Sequence, residues 1–517
     1  MRIGIDVGGT HTDAVLLSGN DVIAFHKSST TANVKDGVIA AMDAVLEQAG
    51  VEPARIEAVM IGTTQFTNAV IERRDLAPTA VIRIALPSGA MIPPLTDWPE
   101  DLAQAIGSLV FMVHGGQTYD GFPIAPLDTD EVDRALDAIR AAGVKQLAIS
   151  AVFSPSDPSQ ELWLAERCAE KLPDVGITLS HRIGGIGLLE RENAAILNAS
   201  LCPLADRVVG AFGDALAERN MQCPFYISQN DGTLMSAEFA ASFPALTFAS
   251  GPTISLRGAS LLTGMQDAVV VDIGGTTSDI GVLQNGFPRQ SNVAIKVGGV
   301  RTNFRMPDIQ AIGLGGGSLV ADDGASIGPQ SVGFRLLTEG RVFGGETLTA
   351  TDIAVAAGSA DVGDKQRVAG LPAATLENAL ACIHQTINDG IEQMKSSREP
   401  VPVVLVGGGA VLVSRELNGA PEVLRPAYAS VANAIGAANA QVGAEAELIV
   451  SYKRQSRESA IADMQASLRD ELLAAGADEP SIRIADMSET PISYTADEST
   501  RLRIKLVGDL TFSAGEL

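Results

Sequence analysis

Apolar and polar positions alternate from the first residues of the chain. Residues 2–7 (RIGIDV) carry an aliphatic side chain at every second place, which predicts a strand with one buried face. Two more strands are expected at 13–17 and 21–27, each bounded by a turn. At 36–48 (DGVIAAMDAVLEQ) the period lengthens to that of an amphipathic helix, and Gly50 supplies the stop. A strand at 58–62 and a helix in TTQFTNAVIERR complete the first block. Residues 87–126 are broken by proline and glycine and read as loops with short strands. Helices are then expected at 129–142, 159–172, 187–200 and 204–218, and strands at 146–153 and 175–180. Such alternation predicts an α/β architecture.

A second unit opens near Pro224 with FYISQNDG, a strand running into a turn. ALTFASGPTISLRGAS follows, where Gly251 and Pro252 end a strand ahead of a helix. Residues 307–345 are rich in glycine and aspartate, 374–394 form a helix, and the strand 403–406 runs into Gly407, Gly408 and Gly409. The last stretch has a different rhythm: strand, charged helix, then two strands. The expected division is two α/β domains, 1–200 and 201–442, with a small α+β appendage at 443–517.

Of the 517 residues, 46 % are hydrophobic and 19 % charged, a balance that supports a large core. A net charge of −25 argues against nucleic acid and anionic membranes as partners, since both call for a basic face. No uninterrupted apolar run reaches the ~18 residues of a membrane span. The cysteines, Cys168, Cys202, Cys223 and Cys382, are scattered, which predicts free thiols and a cytoplasmic setting. None of the five histidines stands at zinc-ligand spacing from another, HExxH is absent, and no GxSxG elbow is present.

One device occurs twice. IDVGGTHTD, from Ile5, returns as VDIGGTTSD, from Val271, with Asp6 and Asp272 266 positions apart and Asp13 and Asp279 likewise. In each copy an apolar strand ends in aspartate, two glycines and hydroxyl residues follow, and a second aspartate opens another apolar strand. Gly8, Gly9, Gly274 and Gly275 permit a tight turn whose successive N–H groups form an anion-sized concavity. Thr10, Thr12, Thr276 and Thr277 add hydroxyl donors, and His11 lies within the first turn. An aspartate at a strand end beside phosphates is a natural Mg²⁺ ligand. A P-loop would need a lysine and a following helix, and a dinucleotide fold would need GxGxxG; neither copy has them.

The pair resembles the two phosphate hairpins of the actin/sugar-kinase/Hsp70 superfamily, in which duplicated domains close over one ATP. VVLVGGGAVL, ending the strand 403–406 in Gly407–Gly409, is similar to that superfamily's adenosine motif. The resemblance is closer to the hydantoinase A/oxoprolinase family, carried by GTTQFTNAV, GLLERENAAILNASLCP, ISQNDGTLMS, SGPTISLRGAS, IGLGGGSLVADDG, IGPQSVGF and TATDI, all in the family's order. The chain departs from the family in its short tail, in Gln310 where a histidine is common, and in FRLLTEGRVFGG after IGPQSVGF.

This resemblance implies ATP and Mg²⁺, or another divalent metal, in an interdomain cleft. Asp6 and Asp272 are the expected metal-positioning residues, with Asp308 a further metal candidate and Asp279 a candidate for proton transfer. The hairpins and Gly407–Gly409 would hold the nucleotide, with His11, Thr12 and Asp13 included. It further implies a small cyclic amide (hydantoin, 5-oxoproline or another lactam) or a ketone as substrate. The carbonyl oxygen would be phosphorylated before ring opening. A hydantoinase B-type or other companion subunit is expected, as is an oligomer. A small-molecule kinase, an ATP-dependent carboxylase subunit and a non-catalytic ATP-switch subunit are the alternatives. Gly315–Gly317 and Ser318 are expected to approach a ligand.

Overall fold

The computed structural model describes residues 1–8, 11–29, 34–291, 295–304, 306–493 and 499–511. A nine-stranded sheet begins at one edge with Arg483–Pro491, then runs through Ser499–Gly508, Val442–Ser451, Leu234–Ser236, Phe225–Ser228, Ala58–Thr63, Arg2–Val7, His11–Ser18 and Asp21–Ser29. It therefore draws on all three stretches 1–200, 201–442 and 443–517. The second sheet centres on Ala268–Ile273 and Ser278–Gln284, flanked by Val403–Val406 and Ile309–Ile312. A third sheet of four parallel strands, Val110–His114, Thr79–Leu86, Gln146–Ala151 and Gly176–Leu179, stands apart from both.

The first two sheets repeat one pattern. Arg2–Val7 pairs antiparallel with His11–Ser18 and parallel with Ala58–Thr63. Ala268–Ile273 pairs antiparallel with Ser278–Gln284 and parallel with Val403–Val406. The period of two then decides what each strand offers to each side. Ile3, Ile5 and Val7 enter one core, while Gly4 and Asp6 face the helix Ala432–Ala438. Likewise Val269, Val271 and Ile273 enter another core, leaving Val270 and Asp272 toward the helix Ser250–Thr263.

Those two helices cross between the sheets at backbone contact. A Cβ on Gly258 would lie 1.8 Å from the Ala432 carbonyl oxygen, and one on Gly436 would lie 1.9 Å from that of Ile254. Only a residue without a side chain fits at either point.

The helices expected at 187–200 and 204–218 are one 31-residue helix, Leu188–Glu218, that runs through Pro203. By length and composition alone it could cross a membrane, but 61 % of its apolar window is buried inside the protein. The polar residues of its first half from Arg191 to Ser200 are buried too. Glu192 receives the Arg83 Nε–H at 2.7 Å and the Ser150 hydroxyl at 2.6 Å, a pairing that ties the third sheet to the helix. The strand Thr79–Leu86, all but its last residue buried, has no polar alternation to announce it. The tail forms the strand, helix and two strands expected of it. All four cysteines are free.

Candidate functional site

In the two hairpins Asp6 stands opposite Asp13 and Asp272 opposite Asp279. The turns close on the same hydrogen bond: the Gly8 N–H donates to the His11 carbonyl at 3.0 Å, and the Gly274 N–H to that of Thr277 at 2.9 Å. Gly9 and Thr10 lie outside the described residues. Asp13 and Asp272 act electrostatically on Asp6, Asp13 on Asp272, and Asp272 on Asp279, so the carboxylates of the two hairpins lie within electrostatic reach of one another.

In each half, the strand next to the first aspartate leaves room for its carboxylate. A Cβ on Gly62 would come 2.7 Å from Asp6 Oδ1. One on Gly407 would come 2.3 Å from Asp272 Oδ1, and Gly407 has φ +81°, a conformation that glycine alone adopts at little cost. Gly409 donates to the Ile273 carbonyl at 2.7 Å, which locks the Gly407–Gly409 turn against the second hairpin. Around Gly408 there is open space.

Gly315–Gly317 also pack on the second hairpin. Gly316 and Gly317 donate to the carbonyls of Gly274 and Gly275 at 3.0 and 2.7 Å, and a Cβ on Gly315 would lie 2.6 Å from the Thr276 nitrogen. These glycines let the backbone back the hairpin from behind. Ser318 is buried, and its hydroxyl accepts the Gly315 N–H at 2.8 Å.

Two residues that carry no sequence motif complete the first half. The Lys27 ammonium donates to Asp13 Oδ1 and Oδ2 at 2.6 and 2.7 Å. The Asn433 amide nitrogen donates to Asp6 Oδ2 and Asp13 Oδ2, both at 2.8 Å. In the second half Ser255, on the helix Ser250–Thr263, hydrogen-bonds Asp272. A lone asparagine in the small apolar run SVANAIGAA was the available signal for Asn433. Lys27, on a strand of mixed polarity, gave none.

Burial and the neighbouring Asp13 charge push the Asp6 carboxyl up to about 7. Burial and Asp272 push Asp279 up to about 7 as well, and burial raises Asp272. Asp272 and Asp279 keep partial contact with solvent, which tempers their rise, whereas Asp6 is 6 % exposed. Burial and Lys27 hold His11 below its usual range. The charge balance sets four carboxylates against Lys27, and Asp6 Oδ1 is buried with no partner among the described residues. An orphaned, buried anionic oxygen in an acidic cluster fits a divalent cation.

Asp308 stands apart from this group. It pairs with Arg289 (Nη2–Oδ2 2.7 Å) beside a cavity of about 590 Å³ that Lys395, Arg503 and Lys505 also line. To reach the metal Asp308 would have to leave that pair. Gln310 bonds Gln393 at 2.7 Å. Among the described residues His114, Asp128 and Glu131 also lie close enough to share a cation, but Glu131 receives the His114 N–H and sits 3.0 Å from its Nδ1, while Asp128 caps a helix.

Residues 2–172 match the family profile described as the hydantoinase/oxoprolinase N-terminal region, and residues 191–364 match the one described as hydantoinase/oxoprolinase. The caprolactamase alpha subunit of Pseudomonas jessenii is 27 % identical over 390 residues, covering 69 % of this chain and 54 % of that protein. The acetophenone carboxylase gamma subunit of Aromatoleum aromaticum is 25 % identical over 390 residues, covering 69 % and 53 %. The chain thus spans about half the length of these curated relatives. The solved structure of ATP-dependent caprolactamase from Pseudomonas jessenii superposes with a TM-score of 0.76 at 20 % identity, covering 100 % of this chain and 89 % of that one. Nucleotide-free acetone carboxylase gives 0.67 at 18 %, covering 98 % and 88 %. At these identities the structural likeness establishes the fold.

Proposed function

As the chain belongs to the hydantoinase/oxoprolinase family, we propose that it uses ATP to open a cyclic amide, acting with a companion subunit. The observation that carries this reading is the mirrored pair of hairpins, which brings Asp6 and Asp272 within electrostatic reach of each other from two similarly built sheets. Asp6 and Asp272 would hold the divalent cation that accompanies ATP, and that cation supplies charge neutralisation for phosphoryl transfer. The carbonyls of Gly274 and Gly275 are engaged by Gly316 and Gly317. The N–H groups of that turn would therefore face the β- and γ-phosphates, where they stabilise the charge that develops during transfer.

The γ-phosphoryl group passes to the amide oxygen, and ADP leaves. Water then adds to the activated carbon and the ring C–N bond breaks. Overall one water is added across the C–N bond and one across the P–O bond, giving an amino acid, ADP and phosphate. Asp279, pushed up to about 7, suits a proton acceptor working near neutrality. The ring nitrogen takes the proton as it leaves.

A second reading has its own support: acetophenone carboxylase gamma is nearly as similar as caprolactamase alpha, and in a carboxylase the same site would phosphorylate an enolate or bicarbonate. The test is ADP release over a panel of hydantoin, 5-oxoproline, caprolactam and acetophenone with bicarbonate, each with and without the adjacent-gene protein. Lactam-stimulated ADP release with a ring-opened product supports the hydrolase, and ketone- and bicarbonate-dependent release supports the carboxylase. Accumulation of a phosphorylated small molecule would make the chain a kinase. Hydrolysis indifferent to every substrate and raised only by the protein partner would make it a switch.

A further inference from the structure

The amide of Asn433 makes three contacts, and together they fix its orientation. Its nitrogen donates one hydrogen to Asp6 and the other to Asp13, and its oxygen accepts the Ala434 N–H at 2.8 Å. A flipped amide would set its oxygen against two carboxylates and its NH₂ against an N–H, losing all three bonds. Asn433 is also held from both sides. A Cβ on Gly4 would lie 2.1 Å from the Ala434 carbonyl oxygen, so the helix lies directly on the Asp6 strand. Gly258 meets the Ala432 carbonyl oxygen on the opposite side, fixing the helix against Ser250–Thr263. The neighbours of Asn433 in sequence are therefore clamped to each of the two elements that the cleft joins.

The consequence for the carboxylates is selective. Both Asp13 oxygens are engaged, by Lys27 and Asn433. Asp6 Oδ2 is engaged by Asn433, and Asp6 Oδ1 is buried without a partner among the described residues. We infer that Asn433 is a positioning residue: it binds one oxygen of Asp6 and so leaves the other, Oδ1, as the buried carboxylate oxygen of the first hairpin that has no partner among the described residues and can serve a cation. This rests on the nucleotide–metal reading of the cleft and adds to it the group that orients the metal's anchor. The role comes from a helix 427 positions away in sequence, outside both hairpin motifs.

The test compares Asn433→Ala and Asn433→Ser with the intact chain. Two quantities are measured: the Mg²⁺ concentration that half-saturates ATP hydrolysis, and the binding of Mn²⁺ to the protein–ADP complex, followed by electron paramagnetic resonance without turnover. Asn433→Ala is expected to raise the half-saturating Mg²⁺ concentration and the Mn²⁺ dissociation constant by tenfold or more each, while KM for ATP at saturating Mg²⁺ stays within about threefold. Asn433→Ser keeps one donor and is expected to fall between. A merely structural role would move ATP and metal affinity together. Unchanged metal half-saturation and Mn²⁺ binding in a folded Asn433→Ala protein overturn the inference; if that variant does not fold, the same result in Asn433→Ser does so. If the unaltered chain neither hydrolyses ATP nor binds Mn²⁺ with ADP, the nucleotide reading itself falls, an outcome distinct from a variant that matches it.

Discussion

Replacing Asp6 by asparagine should destroy the proposed activity and at the same time stabilise the metal-free protein. Asp6 ionises near pH 3.8 in an unfolded chain and at about 7 in the folded one, because burial and Asp13 both oppose its charge. Between those values the folded state holds a proton that the unfolded state has lost, so stability falls as pH rises. At about 1.4 kcal/mol for each tenfold change in acidity, the full cost is about 4 kcal/mol above pH 7. The share of the stability loss between pH 5 and pH 8 that Asp6 contributes, on the order of 2–3 kcal/mol, should disappear in Asp6→Asn, while the share from Asp279 remains. The neutral side chain keeps its oxygen toward Asn433 and removes the charge. Trp98 reports on the right region, since it packs in the same core as Ile3, Ile5 and Val7. Urea unfolding followed by tryptophan fluorescence at pH 5 and pH 8, with a chelator present, gives the difference between the two proteins. A difference that stays constant to within about 0.5 kcal/mol across that range would refute a buried, strained Asp6. The variant's loss of Mg²⁺-dependent ATP turnover is read separately.

Lys27→Met leaves Asp13 with Asn433 alone. It should cost about 1–3 kcal/mol in the same urea assay and weaken ADP-dependent protection against unfolding. Gly436→Val sets a branched side chain against the Ile254 carbonyl oxygen. It should separate the two crossing helices and cost about 3 kcal/mol or more, visible as a lowered melting temperature or as insoluble protein. Asp308→Asn should leave the half-saturating Mg²⁺ concentration within about twofold, because its carboxylate is committed to Arg289 rather than to the hairpins; a tenfold rise would return Asp308 to the metal site.

Legibility in the sequence followed the range of the interactions. Each hairpin is a local object: the apolar alternation, the aspartate, the glycines and the second aspartate lie within nine residues, and the closing hydrogen bond spans four. The tail and the helix Thr129–Ala142 could be read for the same reason. The strand Thr79–Leu86 could not, because a parallel strand covered on both faces buries its polar residues Thr79 and Arg83 as well and so shows no alternation of buried and exposed positions. The join at 200–204 misled because proline usually ends a helix, whereas Leu188–Glu218 continues past Pro203 with burial along both halves. IGLGGGS suggested a ligand loop, yet what approaches its backbone is the hairpin, a contact 40 residues away in sequence.

The supports of the site were the least legible part, and they break the symmetry that the motifs suggest. The two hairpins share their register and their closing bond, but the first is held by Lys27 and Asn433 and the second by Ser255 and the Gly407 turn. Among the described residues, one half thus carries a cation beside its second aspartate, and the other does not. With Lys27 on Asp13, the charge in the first half is partly neutralised before any ligand arrives. Among the described residues Asp279 has no ion pair, and its carboxyl is raised by burial and by Asp272. The duplicated motif accordingly yields two unlike aspartates at equivalent positions: Asp13 clamped by Lys27 and Asn433, Asp279 pushed up to about 7. That difference fits the proposed roles of Asp6 as a metal anchor and Asp279 as a proton acceptor, a division no comparison of IDVGGTHTD with VDIGGTTSD would reveal.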